Sequence, residues 1–238
     1  MSKRAVILAG GTGSRLRPYT VVLPKPLMPI GNFPILEVVI RQLAFYGFTR
    51  ITLAVNHQAE IIKSFFNSGE KWGIRIDYSL EKTPLGTMGP LKLIHDLPEN
   101  FLVMNGDILT DLDYGKFYTD HTNGDHVFTI SSCIRTQPSD FGVLEIDGKR
   151  MLCNFREKPV IEFEVSMGIY MLSKEILTYI PDNRKYGFDT LMLRLLKAKR
   201  KVSVRRHHGY WLDIGRPDDY MQAIEIFEEN KGRFLSEE

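Results

Sequence analysis

The chain has 238 residues, 43% of them hydrophobic and 25% charged, with a formal net charge of +2. That length supports a sizeable core in one domain, and the composition is ordinary for a soluble globular protein. The small net charge gives no nucleic-acid footprint, and no apolar stretch reaches membrane-spanning length. The two cysteines, Cys133 and Cys153, have neither C-x-x-C spacing nor a histidine partner pattern, which argues against zinc. With no signal peptide visible, a reducing cytoplasm is the expected compartment, with no membrane partner.

In chain order, the apolar run at 5–9 reads as a buried parallel strand. Leu8-Ala9-Gly10-Gly11-Thr12-Gly13-Ser14-Arg15-Leu16-Arg17-Pro18 follows directly, and Pro24-Lys25-Pro26 comes soon after. Glycines there allow a tight turn that brings bare N–H groups against phosphate oxygens, and Arg15 and Lys25 add fixed positive charge. The pattern is not a dinucleotide fingerprint, because Leu16 stands where a third small residue belongs. It is not a P-loop either, because no Gly-Lys-Ser/Thr run occurs. A glycine turn after a first strand can be purely structural, but the paired Arg and Pro-Lys-Pro point to a nucleoside triphosphate.

Helical spacing predicts helices at 34–46 and 58–66, with core strands at 51–56, 74–80 and 101–105 and a further helix at 88–95. This alternation implies a mostly parallel sheet with helices on both faces, whose ligands bind beyond the strands' carboxyl ends. The second half reads as antiparallel strands at 126–133, 142–146 and 151–155, with a turn at Asp147-Gly148, and another strand at 166–172. A helix at 188–196, a strand at 202–206 and a closing helix at 218–227 complete the order. Cys153, near Leu152 and Phe155, reads as a small core or sheet residue. The basic residues at 197–201, with Arg205 and Arg206, read as a solvated helix end and strand.

Asp107, in Asn105-Gly106-Asp107, and Asp213, in Trp211-Leu212-Asp213-Ile214-Gly215, are carboxylates in apolar settings that need partners. Mg²⁺ would serve, taking carboxylate and phosphate oxygens together. Equally, Asp107 could start a turn and Asp213 could cap a local loop. An Asp-x-Asp metal pattern fails, because position 109 is Leu.

The glycine loop with its Pro-Lys-Pro resembles the signature of the sugar-1-phosphate nucleotidyltransferases, or nucleotide-sugar pyrophosphorylases, most like the short mannose-1-phosphate guanylyltransferase type. The resemblance runs along nearly the whole chain through Phe141-Gly142-Val143, Glu157-Lys158-Pro159 and Trp211-Leu212-Asp213-Ile214-Gly215. It implies a Rossmann-like three-layer α/β/α fold with a mixed, mostly parallel sheet and a small antiparallel sugar-binding part. One domain, 1–238, is expected, with 1–120 as the nucleotide half and 121–238 as the sugar-phosphate half. Some relatives carry an additional C-terminal domain, for which this chain is expected to be too short.

The implied substrates are an NTP and a sugar 1-phosphate, hexose or heptose, with Mg²⁺ on Asp107 and Asp213. Arg15, Lys25, Asp107, Lys158 and Asp213 would be the catalytic set. Leu8, Gly10, Gly11, Thr12, Gly13 and Ser14 would hold the triphosphate, with Glu81, Gly86 and Thr87 at the base. Gly142, Glu157, Ser166 and Gly168 would face the sugar. Glu81 accepts hydrogen bonds only, which suits guanine's donors and favours GTP; similar loops occur in UTP- and dTTP-dependent relatives. Glu157-Lys158 taken alone would be an ordinary solvated pair. Ser166 stands where many relatives have Asn. A homodimer is compatible with this reading. A non-catalytic sensor on the same fold would be expected to lack Arg15, Lys25, Asp107 or Asp213, and all four are present.

Overall fold

The structure, a computed structural model, describes residues 3–11, 13–56 and 58–235. Thr12, expected in the phosphate loop, and His57 lie outside the described residues. Strand β1 (Lys3–Leu8) leads through 3₁₀ turns to a short hairpin, β2 (Pro29–Ile30) and β3 (Phe33–Pro34), and helix α1 (Ile35–Phe45). Then come β4 (Phe48–Val55), α2 (Ala59–Phe66), β5 (Arg75–Leu80), β6 (Asn100–Asn105), β7 (Ile108–Thr110) and α3 (Tyr114–Thr122). The second half holds β8 (Phe128–Pro138), β9 (Val143–Ile146), β10 (Leu152–Arg156), β11 (Val160–Ser173), α4 (Phe188–Lys197), β12 (Val202–Arg206) and β13 (Trp211–Asp213). Helices α5 (Pro217–Glu229) and α6 (Lys231–Phe234) close the described chain.

Seven strands form the central sheet in the order β12-β8-β11-β6-β1-β4-β5. β6, β1, β4 and β5 run parallel, whereas β11 is antiparallel to both β6 and β8. Alternation along a strand sends successive side chains to opposite faces. Ala5 and Ile7 of β1 therefore join the core under α1, α2 and α3, while Val6 joins the core under α4. A third cluster packs α5 and α6 against Ile35 and Val38 of α1 and against Leu109 and Leu212. This is the expected three-layer fold with a mixed, mostly parallel sheet.

Three readings change. The helix expected at 88–95 is a shorter 3₁₀ helix at Gly89–Leu93, with Pro90 in its first turn, where the missing N–H leaves no intrahelical bond unmade. Cys153 does sit in a strand, but it is exposed, because the two-stranded β9–β10 sheet lies outside the core. The strands read at 126–133 and 166–172 extend to Phe128–Pro138 and Val160–Ser173. They pair with each other beyond the core; the outer half of β8 lacks apolar alternation, whereas Ile161-Glu162-Phe163-Glu164-Val165 of β11 carries it.

Candidate functional site

β1 delivers the glycine loop at its carboxyl end, between β4 and β6. Ala9 N–H donates to Ala54 O (2.8 Å) and Gly106 N–H to Leu8 O (3.1 Å), so the loop, Asn56 and Gly106 share one sheet edge. The Asn56 side-chain amide donates to the Gly10 carbonyl. Gly13 has φ +62°, in the left-handed region that glycine enters without steric cost. The buried Thr20 hydroxyl holds Gly13 O at 2.7 Å. A Cβ at Gly13 would lie 2.9 Å from Thr20 Cγ2 and 3.2 Å from Lys25 Cβ, which forces the close approach of loop and lysine.

Lys25 is buried in a 3₁₀ turn at Lys25–Leu27 and forms an ion pair with Asp107 Oδ2. Asp107 stands in the turn between β6 and β7. β7 pairs antiparallel with β13, which sets Asp213 opposite Ile108, and Ile214 N–H donates to Asp107 O at 3.0 Å. A three-residue sheet thereby brings together two carboxylates that are far apart in sequence. Burial first, then the neighbouring Asp107 charge, pushes the Asp213 carboxyl above the usual range; Lys25 and Arg15 oppose the shift. Arg15 reaches the same place: a Cβ on Gly215 would be 3.4 Å from both terminal guanidinium nitrogens and from Asp213 Oδ2.

These residues fit a hard dication. Asp107 Oδ1 is buried with no hydrogen-bond partner, and its other oxygen is neutralised by a single lysine. An orphaned carboxylate oxygen beside a second, half-buried carboxylate calls for further positive charge. Among the described residues no group of three or more His, Cys, Asp or Glu could hold a metal ion. A two-carboxylate site suits Mg²⁺, whose remaining ligands are phosphate and water oxygens.

The loop and Asp107 open onto a cavity of about 410 Å³. Leu8, Gly10, Gly11, Lys25, Glu81, Gly86, Thr87 and Asp107 all line it, as do Pro26, Asn56 and Asn105. Glu81 follows β5, and a Cβ on Gly10 would come within 2.9 Å of its Oε1. Burial raises the Glu81 carboxyl, although Leu85 N–H donates to it at 3.0 Å and works the other way. Gly86 has φ +77°, and a Cβ there would strike the Tyr186 carbonyl at 2.8 Å. Thr87 Oγ1 accepts from Phe188 N at 2.8 Å, so that hydroxyl also caps α4.

The residues expected at the sugar divide into two groups. Ser166 and Gly168 lie in a register shift of β11 beside the cavity: Gly168 abuts Asn105, and Ser166 Oγ bonds the Tyr170 hydroxyl at 3.2 Å. Trp211 Nε1 donates to Met167 O at 2.9 Å and ties this bulge to β13. Gly142, Glu157 and Lys158 sit on the exposed β9–β10 ribbon, where a Cβ on Gly142 would lie 3.1 Å from Glu157 Oε2. None of these three lines the Asp107 cavity. Ser14 and Arg15 are exposed at its approach.

Sequence reasoning missed Asn56, Thr20 and Asn105. Asn56 and Asn105 are polar residues at the carboxyl ends of apolar parallel strands, where ligands gather, and that signal could have found them. Thr20 left no such trace. Arg135, whose guanidinium stands 5.6 Å over the Trp211 ring, was also missed. Asp113 caps α3, its Oδ1 accepting from Lys116 N–H at 2.7 Å. Asp111 is held by His207 Nε2 (2.8 Å), Tyr210 N (2.7 Å) and Arg233 Nε (2.5 Å).

A glycine loop and paired aspartates at the carboxyl edge of a doubly covered sheet define a nucleotide-handling α/β protein. The profile of the nucleotidyl transferase family matches residues 4–230, and the chain belongs to that family. It is 34% identical to a UTP–glucose-1-phosphate uridylyltransferase of Synechocystis sp., covering 93% of this chain and 62% of that protein. It is 35% identical to a mannose-1-phosphate guanyltransferase of Yarrowia lipolytica, covering 94% and 64%. The chain thus spans less than two thirds of the length of these curated relatives. Among solved structures, HddC from Yersinia pseudotuberculosis superposes with a TM-score of 0.73 at 30% identity, covering 94% of this chain and 99% of that one. HddC has also been solved in complex with GMP-PN. No helix among the described residues is long and apolar enough to cross a membrane.

Proposed function

We propose that this protein transfers a nucleotidyl group from an NTP to a sugar 1-phosphate, giving an NDP-sugar and pyrophosphate. The observation that carries the reading is that β7–β13 sets Asp213 opposite Ile108 and so brings it beside Asp107, which is ion-paired with Lys25. The attacking group is a phosphate oxygen that is already ionised, so no side-chain base is needed. It forms a bond to the α-phosphorus as the bond to the bridging oxygen breaks and pyrophosphate leaves. Both reactants are anions, so catalysis is positioning and charge neutralisation.

Each residue then has a task. Backbone N–H groups from Gly10 to Ser14 cradle the triphosphate, with Leu8 beneath. Lys25 neutralises phosphate oxygens, and Arg15 balances the charge that grows on the leaving pyrophosphate. Asp107 and Asp213 would hold Mg²⁺, which supplies the charge that lets two polyanions approach. Lys158 brings in the sugar phosphate, Glu157 accepts from ring hydroxyls, and Ser166 with Gly168 shapes the sugar pocket. The nucleotide half, 1–120, and the sugar half, 121–238, act as one domain.

GTP is the favoured nucleotide. Glu81 offers acceptors to guanine's N1–H and amino group, and the GMP-PN complex of HddC and the guanyltransferase relative support the same choice. The uridylyltransferase relative makes UTP the competitor to exclude. The test is pyrophosphate release with Mg²⁺, comparing GTP, UTP, dTTP, ATP and CTP against hexose and heptose 1-phosphates. Release strongest with GTP and one sugar phosphate is expected. Preference for UTP or dTTP would overturn the base assignment. Silence across the panel with NTP binding intact would overturn the transferase reading in favour of a sensor.

A further inference from the structure

The two aspartates of the proposed dication site are joined by a sheet of three residues on each side, Ile108–Thr110 against Trp211–Asp213. An isolated two-stranded ribbon is marginal in water. This one also forces two carboxylates together: burial, and then the Asp107 charge, push the Asp213 carboxyl up. Something must hold β13 against that repulsion. Ile214 N–H, which donates to Asp107 O at 3.0 Å, closes one end of the sheet. Asp111, the residue after β7, closes the other.

The Asp111 backbone N–H donates to Tyr210 O at 3.3 Å, and its Oδ1 accepts from Tyr210 N–H at 2.7 Å. Thr110 Oγ1 donates to the same Tyr210 carbonyl at 2.7 Å. Tyr210 stands directly before β13, so side chains extend the ladder by one rung where the strand runs out. The carboxylate has two further partners. His207 Nε2 lies 2.8 Å from Oδ1, and Arg233 Nε of α6 donates to Oδ2 at 2.5 Å. The main chain approaches so closely that a Cβ on Gly209 would lie 2.2 Å from Oδ1. Burial works to raise the Asp111 carboxyl, but the Arg233 and His207 hydrogen bonds outweigh it and hold it below the usual range. Both oxygens are occupied, and β7, roughly 10 Å of strand, separates Asp111 from Asp107, so it is not a third ligand of the same ion.

We propose that Asp111 is a positioning residue for the metal pair: it clamps Tyr210, and through it β13, in the register that keeps Asp213 beside Asp107. This role rests on the reading of Asp107 and Asp213 as dication ligands. A carboxylate suits it, because an acceptor-only group can take donors from the β12–β13 connection and from α6 at once. Its charge is met by Arg233, so the clamp adds no uncompensated anion to the pair.

The test titrates Mn²⁺, with no nucleotide present, into the full chain by calorimetry and follows the Ile214 amide by hydrogen exchange. Asp111→Ala should weaken Mn²⁺ binding ~10-fold, the low end of the cost of disturbing a metal ligand's support, and should speed Ile214 exchange. Asp111→Asn keeps an acceptor for Tyr210 N–H and should recover most of the loss. Asp113→Ala is the control: it removes the cap of α3, so it should lower melting temperature while Mn²⁺ affinity and Ile214 exchange stay as in the wild type. Should Asp111→Ala fail to fold, Gly209→Ala pushes on the same carboxylate with one methyl group and should give both changes in weaker form. Wild-type Mn²⁺ affinity in Asp111→Ala overturns the proposal. So does weaker Mn²⁺ binding with unchanged Ile214 exchange, which would make Asp111 a ligand rather than a clamp. An equal loss in Asp113→Ala overturns it too, by making both effects general destabilisation. If the wild-type protein binds no Mn²⁺, the dication reading falls and Ile214 exchange decides alone: faster exchange in Asp111→Ala supports the clamp, and unchanged exchange overturns it.

Discussion

The two halves of the molecule present the same chemistry in opposite settings. In the nucleotide half a lysine and a carboxylate, Lys25 and Asp107, are joined in an ion pair on elements packed into the core. In the half proposed for the sugar the corresponding pair, Glu157 and Lys158, stands in solvent at the end of a ribbon outside the central sheet. The first pair is built before any ligand arrives: Asn56 and Thr20 fix the loop carbonyls, and β7–β13 fixes the aspartates. The second is carried on an arm whose own packing is incomplete. The difference teaches that the site proposed for phosphate and metal is held in place by the fold itself, whereas the residues proposed for the sugar phosphate stand on an exposed ribbon.

The largest effect should come from breaking the preorganised side. Asp107→Ala removes the carboxylate that faces both Lys25 and the proposed metal. Turnover should fall by at least ~10³-fold, about 4 kcal/mol of transition-state stabilisation. Mn²⁺ binding followed by calorimetry should fall with it. Because Lys25 is left buried without its partner, melting temperature should fall too. Arg15→Ala is the sharper cut. Arg15 is exposed, so its loss should leave melting temperature within about 2 °C while kcat falls ~10²-fold. Unchanged turnover in this variant would remove Arg15 from the mechanism.

Lys158→Ala probes the mounted side. If the ribbon only recruits the sugar phosphate, KM for that substrate should rise about 10-fold while NTP affinity stays constant. An equal loss of NTP affinity would mean that the two halves are not separable in this way. Glu81→Gln probes base choice. Glutamine offers both a donor and an acceptor, so the GTP-to-UTP preference should narrow by roughly 10-fold, the worth of one charged hydrogen bond. Stability should move the other way. Burial raises the folded-state carboxyl, so ionised Glu81 disfavours the fold as pH rises through that raised value. The neutral amide removes this penalty, and the variant should melt slightly higher at pH 7 but not at pH 4.

The same contrast explains what could be read from sequence. The nucleotide half was legible because a buried parallel strand, a glycine turn and a helical stripe each have a short-range pattern, and β1, α1, β4 and α2 fall within a few residues of where those patterns put them. Asp107 and Asp213 were visible as carboxylates in apolar runs, but their pairing was not, because a three-residue sheet joins segments about a hundred positions apart. The outer half of β8 could not be read as a strand from apolar alternation, but Ile161, Phe163 and Val165 alternate with Glu162 and Glu164 and should have marked the outer half of β11. Asn56 could have been found from its place at a strand's carboxyl end, but Thr20 acts on the Gly13 carbonyl from a 3₁₀ turn, and no residue pattern announces such a contact.

The comparison can be carried inside β8, whose first residues are buried and whose last are exposed. The buried root is anchored by His121 of α3, whose Nδ1 lies 2.8 Å from Thr129 Oγ1 and whose Nε2 lies 3.4 Å from Ser173 Oγ. Burial, with a smaller contribution from His126, lowers the His121 imidazole to about 4. The folded value thus lies below the ordinary 6.5, so the unfolded chain takes up the proton first. Stability is fully present above pH 6.5 and is lost as pH falls from there through about 4. The melting temperature should drop by about 10 °C across that window, since a shift of this size is about 3 kcal/mol and each kcal/mol moves a chain of this size by ~2–4 °C. His121→Gln should start lower, having lost a fitted ring, but should flatten the slope. Hydrogen exchange near pH 5 should speed up in Phe128–Ile130 at the root of the arm, with no matching change in the already exposed β9–β10 ribbon. Equal acceleration in both places would mean that root and ribbon open together, and the division between a rigid half and a mounted one would not extend into β8.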